Sequence, residues 1–453
     1  MTDTLTPAAT TVPETAPPGY STGRAWLITA ALALFMVINW GDKSVLGLTS
    51  RALMDDLGLS PSQYGLIASS FFFLFSVATL VGGILVDRIQ TRWMLMAMAL
   101  VWALVQFPVM GAASFTVLLA SRVVLGMAEG PASPVALHAV MKWFPDEKRD
   151  LPNAIVLGSS SLGVLIAAPV MAFVQVHWGW RWCFGVLGIA GLAWTVLWLL
   201  VGREGPYDVA RTDDPPSDGT DPAAESVPER VPYRRIFTSP TWLFLAFAGF
   251  ACYFVMAILS TWLPTYLESV RGMSTVTTGN LIAAVAATGA VAMFAQGALS
   301  RRLLVRGVSS RWSRSGVPAA AMAIAAVAMF GFANTGGIMQ LALMLPAFVL
   351  YTTIFPAATA AIAEITPVTQ RGTVLGVFCA VFGVAGMVAP TVAGRLIDNA
   401  AVQADGYHTV FVICAGLLLT AGLAVLVRVD PERDRRRLFD APQVPGGAGS
   451  VTV

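Results

Sequence analysis

Two pairs of opposite charge interrupt stretches of this chain that are otherwise apolar. Asp42 and Lys43 are neighbours in the run from Ala25 to Leu48, and Arg122 and Glu129 stand seven residues apart in the run from Phe115 to Met141. On a helix that spacing puts both side chains on one face, about 11 Å apart along the axis. A charge inside hydrocarbon costs roughly 2.5–3.5 kcal/mol to insert, so it persists where it pairs, lines water or binds something charged. At about 1.5 Å per residue, Lys43 and Arg122 lie at similar depth, about 10 Å inside the membrane, and Glu129 lies deeper, near its centre.

Two acids and two bases that can share one cavity between the first and fourth spans suit reversible proton binding linked to an anion. Lys43 is expected to take a substrate carboxylate and so compete for the charge that holds Asp42 ionised, which links proton and substrate binding reciprocally. Glu129, remote from Lys43 and in apolar surroundings, is expected to carry the proton at mid-membrane. The competing reading is two structural ion pairs that lock helices together. His138, nine residues beyond Glu129, reads as a packing histidine or as a proton relay.

These side chains need elements able to hold them inside a bilayer, and the composition supplies them. Of the 453 residues only 12% are charged while 56% are hydrophobic, and the mean hydropathy is +0.70. A soluble fold cannot bury that much apolar surface, so the chain is read as an all-α integral membrane protein. Twelve stretches are long enough to cross about 30 Å of hydrocarbon, the first near 25–48, the fourth near 115–141, the seventh near 241–266 and the last near 408–428. With the N-terminus inside, 22 of the 28 basic residues fall in cytoplasmic segments, which predicts the cytoplasmic membrane with both termini cytoplasmic.

The expected organisation is a disordered N-terminal tail (1–23), a six-helix bundle (24–201), a cytoplasmic linker (202–239), a second six-helix bundle (240–428) and a C-terminal tail (429–453). The linker is read as solvated, because Glu204 and seven further acids crowd it among prolines. The halves echo one another: Pro145-x3-Arg149 and Ala168-Pro169 match Pro367-x3-Arg371 and Ala389-Pro390 at offsets of 222 and 221. Repeated halves with a site between them are the physical basis of alternating access.

Other chemistries find little support. Cys183, Cys252, Cys379 and Cys414 stand singly in apolar runs, and there are three histidines with no HExxH, P-loop or GxSxG. No metal site, cofactor or catalytic group is expected, only protons as coupling ions. A net charge of +2 gives no reason to expect nucleic acid as a partner. The expected partners are the lipid bilayer and a small-molecule carboxylate, and nothing requires more than a monomer. Gly83-x3-Asp87-Arg88-x3-Arg92 joins spans two and three on the cytoplasmic side. Asp87 there can accept from a neighbouring helix N-terminus or pair with an arginine, so Asp87, Arg88 and Arg92 are candidates for gating.

At these residues the chain resembles the major facilitator superfamily, whose loop motif GxxxDRxGRR is approached by Gly83 to Arg92 with Gln90 and Thr91 as departures. Within it the chain resembles the anion:cation symporter family. That resemblance rests on Asn39-x-x-Asp42-Lys43, on Arg122-Val-Val-Leu-Gly126-x-x-Glu129-Gly-Pro131 and on Trp143-Phe-Pro145. Gly179-Trp-Arg181-Trp182 and Thr261-Trp-Leu-Pro-Thr-Tyr-Leu267 extend it. It implies twelve helices in two pseudo-symmetric bundles and rocker-switch transport. It also implies protonation at Asp42 and Glu129, substrate-carboxylate contact at Lys43, and coupling of the two through Arg122.

Departures from the family bear on the substrate. Lys43 replaces the usual arginine and lacks its bidentate fork. Trp40 and Phe75 stand where tyrosine is frequent, while Tyr253, Cys379 and Gly383 stand at asparagine positions. With Ser160 among the few hydroxyls left, the pocket residues Trp40, Phe75, Ser160, Tyr253 and Cys379 offer aromatic faces rather than partners for hydroxyl groups. Unpaired hydroxyls cost roughly 1–3 kcal/mol each, so an aromatic or weakly hydroxylated carboxylate is expected ahead of a sugar acid. Proton-coupled efflux is the first alternative, although Gly163 to Pro169 is only a fragment of the antiporter signature GxxxGPxxGG. A receptor that binds without transporting is the second, disfavoured because Met1 to Gly23 and Arg428 to Val453 are too short for a signalling domain.

Overall fold

The computed structural model describes residues 20–86, 88–207 and 230–439. Among them, twelve helices are long and apolar enough to cross a membrane. They are α1 (Thr22–Leu48), α2 (Pro61–Gly83), α3 (Thr91–Ala112), α4 (Phe115–Met141), α5 (Asp150–Trp178) and α6 (Trp180–Val201) in the first half. The second half holds α7 (Pro240–Thr261), α8 (Thr275–Val305), α9 (Arg311–Asn334), α10 (Gly337–Glu364), α11 (Val368–Asp398) and α12 (Gln403–Arg428). Residues 1–19, 208–229 and 440–453, which hold most of both tails and the middle of the linker, lie outside the described residues, as does Asp87.

Local chemistry fixes the starts of several helices. Ser60 and Gln63 form a reciprocal capping box with Pro61 in the first turn of α2. Ser114, Ser239 and Ser274 each accept the backbone N–H three residues ahead at the starts of α4, α7 and α8. Prolines mark the breaks in two of the expected spans. The helix from Phe115 ends at Glu129, and Pro131, which has no N–H, begins the break before Ala132–Met141. The seventh span, expected to run to residue 266, stops at Thr261, and Pro264 opens a separate short helix, Leu263–Ser269.

An even number of crossings leaves both described ends of the chain on one side, here called the terminus side; the opposite face is the far side. Hydrogen bonds between the halves gather toward the far side. There Ser50 meets Thr265 hydroxyl to hydroxyl, Tyr64 Oη donates to the Thr261 carbonyl (3.2 Å), and Arg51 donates to the Glu268 carbonyl (2.7 Å). Thr391 Oγ1 reaches Ser69 Oγ at 2.8 Å. The backbones close so tightly that a side chain at Gly47 would strike the Ser260 carbonyl and one at Gly65 the Pro390 carbonyl. Nearer the terminus side, at Gly83 on α2 and at Gly372 and Gly376 on α11, a side chain would meet nothing within 4 Å. The halves therefore converge at the far side and part toward the termini. Outside the spans, burial of Glu268 in this closure pushes its carboxyl up, against the opposing influence of Thr275 and Arg51.

Candidate functional site

The site forms where α2 and α4 approach closely. Side chains at Gly126 and Gly130 would collide with the carbonyls of Phe71 and Phe75, so only glycine lets α2 lie this near. That contact sets Phe75 beside Glu129, and α1 completes the corner. Lys43 Nζ donates to Asn39 Oδ1 at 2.8 Å and lies 3.6 Å from Glu129 Oε2. The ammonium also stands 4.8 Å from the centre of the Trp40 ring and 5.5 Å from that of Phe75, within cation–π range.

The expectation that Glu129 is remote from Lys43 is therefore corrected. Helical spacing fixed the position of Glu129 relative to Arg122 on its own helix. Which way the neighbouring helix turned Lys43 was a matter of packing. Glu129 is the counter-ion of Lys43, and its side chain is fully buried with neither oxygen hydrogen-bonded. Asp42 instead accepts from Gln106 Nε2 of α3 at 2.5 Å and is only 3% exposed. Arg122 is equally buried, with its guanidinium 5.5 Å from the Phe184 ring and within electrostatic reach of Asp42 and Glu129.

Asp42, Lys43, Arg122 and Glu129 thus occupy one buried cluster in the first half. It holds unused hydrogen-bonding capacity: Asn39 Nδ2, Trp40 Nε1, Arg122 Nε and both Glu129 oxygens are buried without partners. Each such group costs roughly 1–3 kcal/mol if it stays unsatisfied, and the three N–H donors suit a negatively charged guest. Lys43 alone keeps an opening, with 20% of its side chain accessible.

Several of the residues expected to line the pocket are linked through aromatic rings. Phe75 packs on Phe72 (5.8 Å between centroids), Phe72 meets Tyr253 of the second half edge-on (5.9 Å), and Tyr253 leans on Phe382 (5.0 Å). A line of aromatic faces crosses from the Lys43 corner to α11. Cys379, on the exposed side of α11, lies close enough to Tyr253 to interact electrostatically. Ser160 sits half-buried on α5, one turn from Gly163, whose backbone abuts Trp40. Its hydroxyl is engaged by the Leu157 carbonyl at 2.5 Å. His138 is half-buried on the terminal segment of α4 and has an interaction partner.

Of the gating candidates, Arg88 is exposed. Arg92 is held within the first half, its guanidinium donating to the Leu199 carbonyl at 3.1 Å and lying 5.2 Å from the Trp93 ring. The expectation for Asp87 falls outside the described residues, and an acid does cap the start of α3. Glu204 accepts from the Arg92 N–H (2.9 Å) and the Thr91 hydroxyl (2.9 Å) and pairs with Lys142 Nζ at 3.0 Å. Glu204 is not a solvated linker residue, because residues 202–207 dock on the end of α4, with Trp143 Nε1 donating to the Arg203 carbonyl. Sequence reasoning also passed over Gln106, Phe72 and Phe382. Gln106 carried a signal, as the lone amide in the apolar run from Trp93 to Ala113.

The fold and this cluster can be set beside known proteins. The model of the Major Facilitator Superfamily matches residues 32–353 and 307–449. The chain belongs to the Major Facilitator Superfamily. Within it the chain is of the anion:cation symporter type. It is 30% identical over 410 residues to a hexuronate transporter of Bacillus subtilis, covering 88% of this chain and 94% of that one. It is 26% identical over 404 residues to a probable sulfoacetate transporter of Cupriavidus necator, covering 88% and 93%. In fold it is similar to a bacterial homologue of the human lysosomal transporter Spinster, crystallised inward-facing and unoccupied. The TM-score is 0.77 at 19% identity, over 93% of this chain and 100% of that one. As a member of this superfamily the chain is a multi-pass membrane transporter and not an enzyme.

Proposed function

We propose that this superfamily member is a cytoplasmic-membrane symporter that imports an organic carboxylate with one or more protons by alternating access. The observation that carries the reading is the 3.6 Å pair of Lys43 with the fully buried Glu129. A substrate carboxylate that takes Lys43 as its partner strips Glu129 of its counter-ion. An uncompensated buried charge costs roughly 3–5 kcal/mol, so Glu129 must accept a proton for the substrate to bind. Carboxylate and proton then enter together, and each tightens the other. Asp42, between Gln106 and Arg122, is the second proton-coupling group, and Arg122 senses the charge on both acids. The basic-residue distribution supports cytoplasmic termini, so the opening on the terminus side corresponds to release into the cell. Arg88 and Arg92, with Asp87, act in gating on that side.

Sugar acids are the first substrate class, supported by the hexuronate transporter among the relatives. A second reading, a weakly hydroxylated carboxylate, is favoured by the aromatic line from Phe75 to Phe382 and by a relative named for sulfoacetate, which carries no hydroxyl group.

Proteoliposomes with an imposed acid-outside gradient test this reading against a hexuronate, a galactonate, sulfoacetate and benzoate. At least one should accumulate, and a protonophore should abolish the accumulation. Lys43→Ala should lose binding while Lys43→Arg keeps part of it. Uptake indifferent to the protonophore, or undiminished in Lys43→Ala, rejects the proposal.

A further inference from the structure

We propose that Gln106 is a positioning residue that serves Asp42 in both of its protonation states, and so sets the pH range over which the transporter couples. The inference rests on the symport reading above and deepens it.

Gln106 lies on α3 and is 2% exposed. Its amide is 2.5 Å from Asp42 Oδ1 and has no other hydrogen-bond partner among the described residues. The groups facing Asp42 are few. Arg122 and Glu129 approach from α4 and Lys43 from its own helix, while α5 and α6 present Ala167 and Leu187 beside the adjoining Gly41. Gln106 Nε2 is thus the N–H donor to a carboxyl whose other close side-chain neighbour is the acid Glu129.

A primary amide suits this position better than any charged group. One arm is an N–H donor and the other a carbonyl acceptor. With Asp42 ionised, Nε2 donates to the carboxylate. With Asp42 protonated, a half-turn about the last side-chain torsion lets Oε1 accept the carboxylic O–H. A lysine or arginine here would hold Asp42 permanently ionised, and a leucine would leave both forms unsatisfied. Donation to the anion is the stronger of the two bonds, because one partner is charged. Removing the amide therefore disfavours the ionised form more than the acid form.

The test uses Gln106→Leu, close in volume, and Gln106→Glu, each in the full chain in proteoliposomes. In Gln106→Leu the alkaline limb of the uptake profile should move to higher pH by about one unit, a tenfold change in proton affinity. In Gln106→Glu two acids would share one proton, and the limb should move further in the same direction. A second readout needs no transport: the infrared carbonyl band of protonated Asp42, assigned by its loss in Asp42→Asn. This band should shift in frequency and persist to higher pH in Gln106→Leu.

A lower rate at every pH, with limb and band in place, overturns the proposal and leaves Gln106 as packing. If wild-type uptake shows no pH limb, the symport reading has failed. The infrared titration still decides whether Gln106 governs Asp42, and an unmoved band overturns this inference too. If Gln106→Leu does not fold, Gln106→Glu supports or overturns the proposal through the same two measurements.

Discussion

At the terminus end of α4, Arg149 Nε donates to the carbonyls of Met141 and Phe144 at 3.1 and 2.9 Å; at the same end of α10, Arg371 Nε donates to those of Ala363 and Thr366 at 3.1 and 3.3 Å. Each partner in the second half lies 222 residues after its counterpart, and each arginine follows a one-turn 3-10 helix. In both places a basic side chain satisfies carbonyls that a helix C-terminus leaves unpaired. The helix starts repeat as well. Glu204, just after α6, caps α3, and Glu432, just after α12, accepts the Ser310 N–H at the start of α9. The neighbouring ion pair differs between the halves. Lys142 pairs with Glu204 in the first half, whereas Glu364, at the position matching Lys142, pairs with Arg314 at 2.6 Å in the second.

The interiors of the two halves differ in kind. The first holds Asp42, Lys43, Arg122 and Glu129 at mid-depth; the second contributes Tyr253, Phe382 and Cys379 to the facing wall. The scaffold is thus duplicated while the ionisable chemistry is not. Under the proposed symport, confining the charges to one half would let a proton and an anion exchange within a cluster carried by one rigid half. The other half is free to shape the wall the cargo meets.

The largest effect that would sharpen this contrast is expected at Glu129. Glu129→Gln should reduce proton-driven accumulation at least a hundredfold while leaving substrate counterflow intact, measured in the same vesicles. Loss of both activities would make Glu129 part of the scaffold. A smaller effect should come from the wall: Phe75→Tyr and Cys379→Asn each add a hydrogen-bonding group. One recovered hydrogen bond should raise the relative kcat/KM for a hexuronate over sulfoacetate about tenfold, on the order of 1.4 kcal/mol. Unchanged selectivity in both variants would place substrate discrimination elsewhere. The smallest effect tests the duplicated plan. Arg149→Gln and Arg371→Gln should each cost about 1 kcal/mol, read as matching falls of a few degrees in Tm. Falls that differ severalfold would show that the two arginines are alike in geometry only.

Much of this was legible in the residues. Apolar length and the absence of water in the bilayer leave helices as the solution, and Ser60, Ser114, Ser239 and Ser274 mark where four of them begin. The 222-residue offset was visible as Pro-x3-Arg before the carbonyls it serves could be known. That Asp42, Lys43, Arg122 and Glu129 were worth attention followed from the cost of placing charge in hydrocarbon.

Partner choice was a different matter. A one-dimensional pattern fixes which residues share a face of one helix, so Arg122 and Glu129 could be aligned. It says nothing of how far a neighbouring helix is rotated. Sequence therefore determined that four charges must find partners inside the membrane. Only packing of α1 against α2, α3 and α4 decided that Lys43 goes to Glu129 and Asp42 to Gln106. The glycines at 126 and 130 set that packing, because the distance between helix axes, and with it every contact across them, depends on the absence of two side chains.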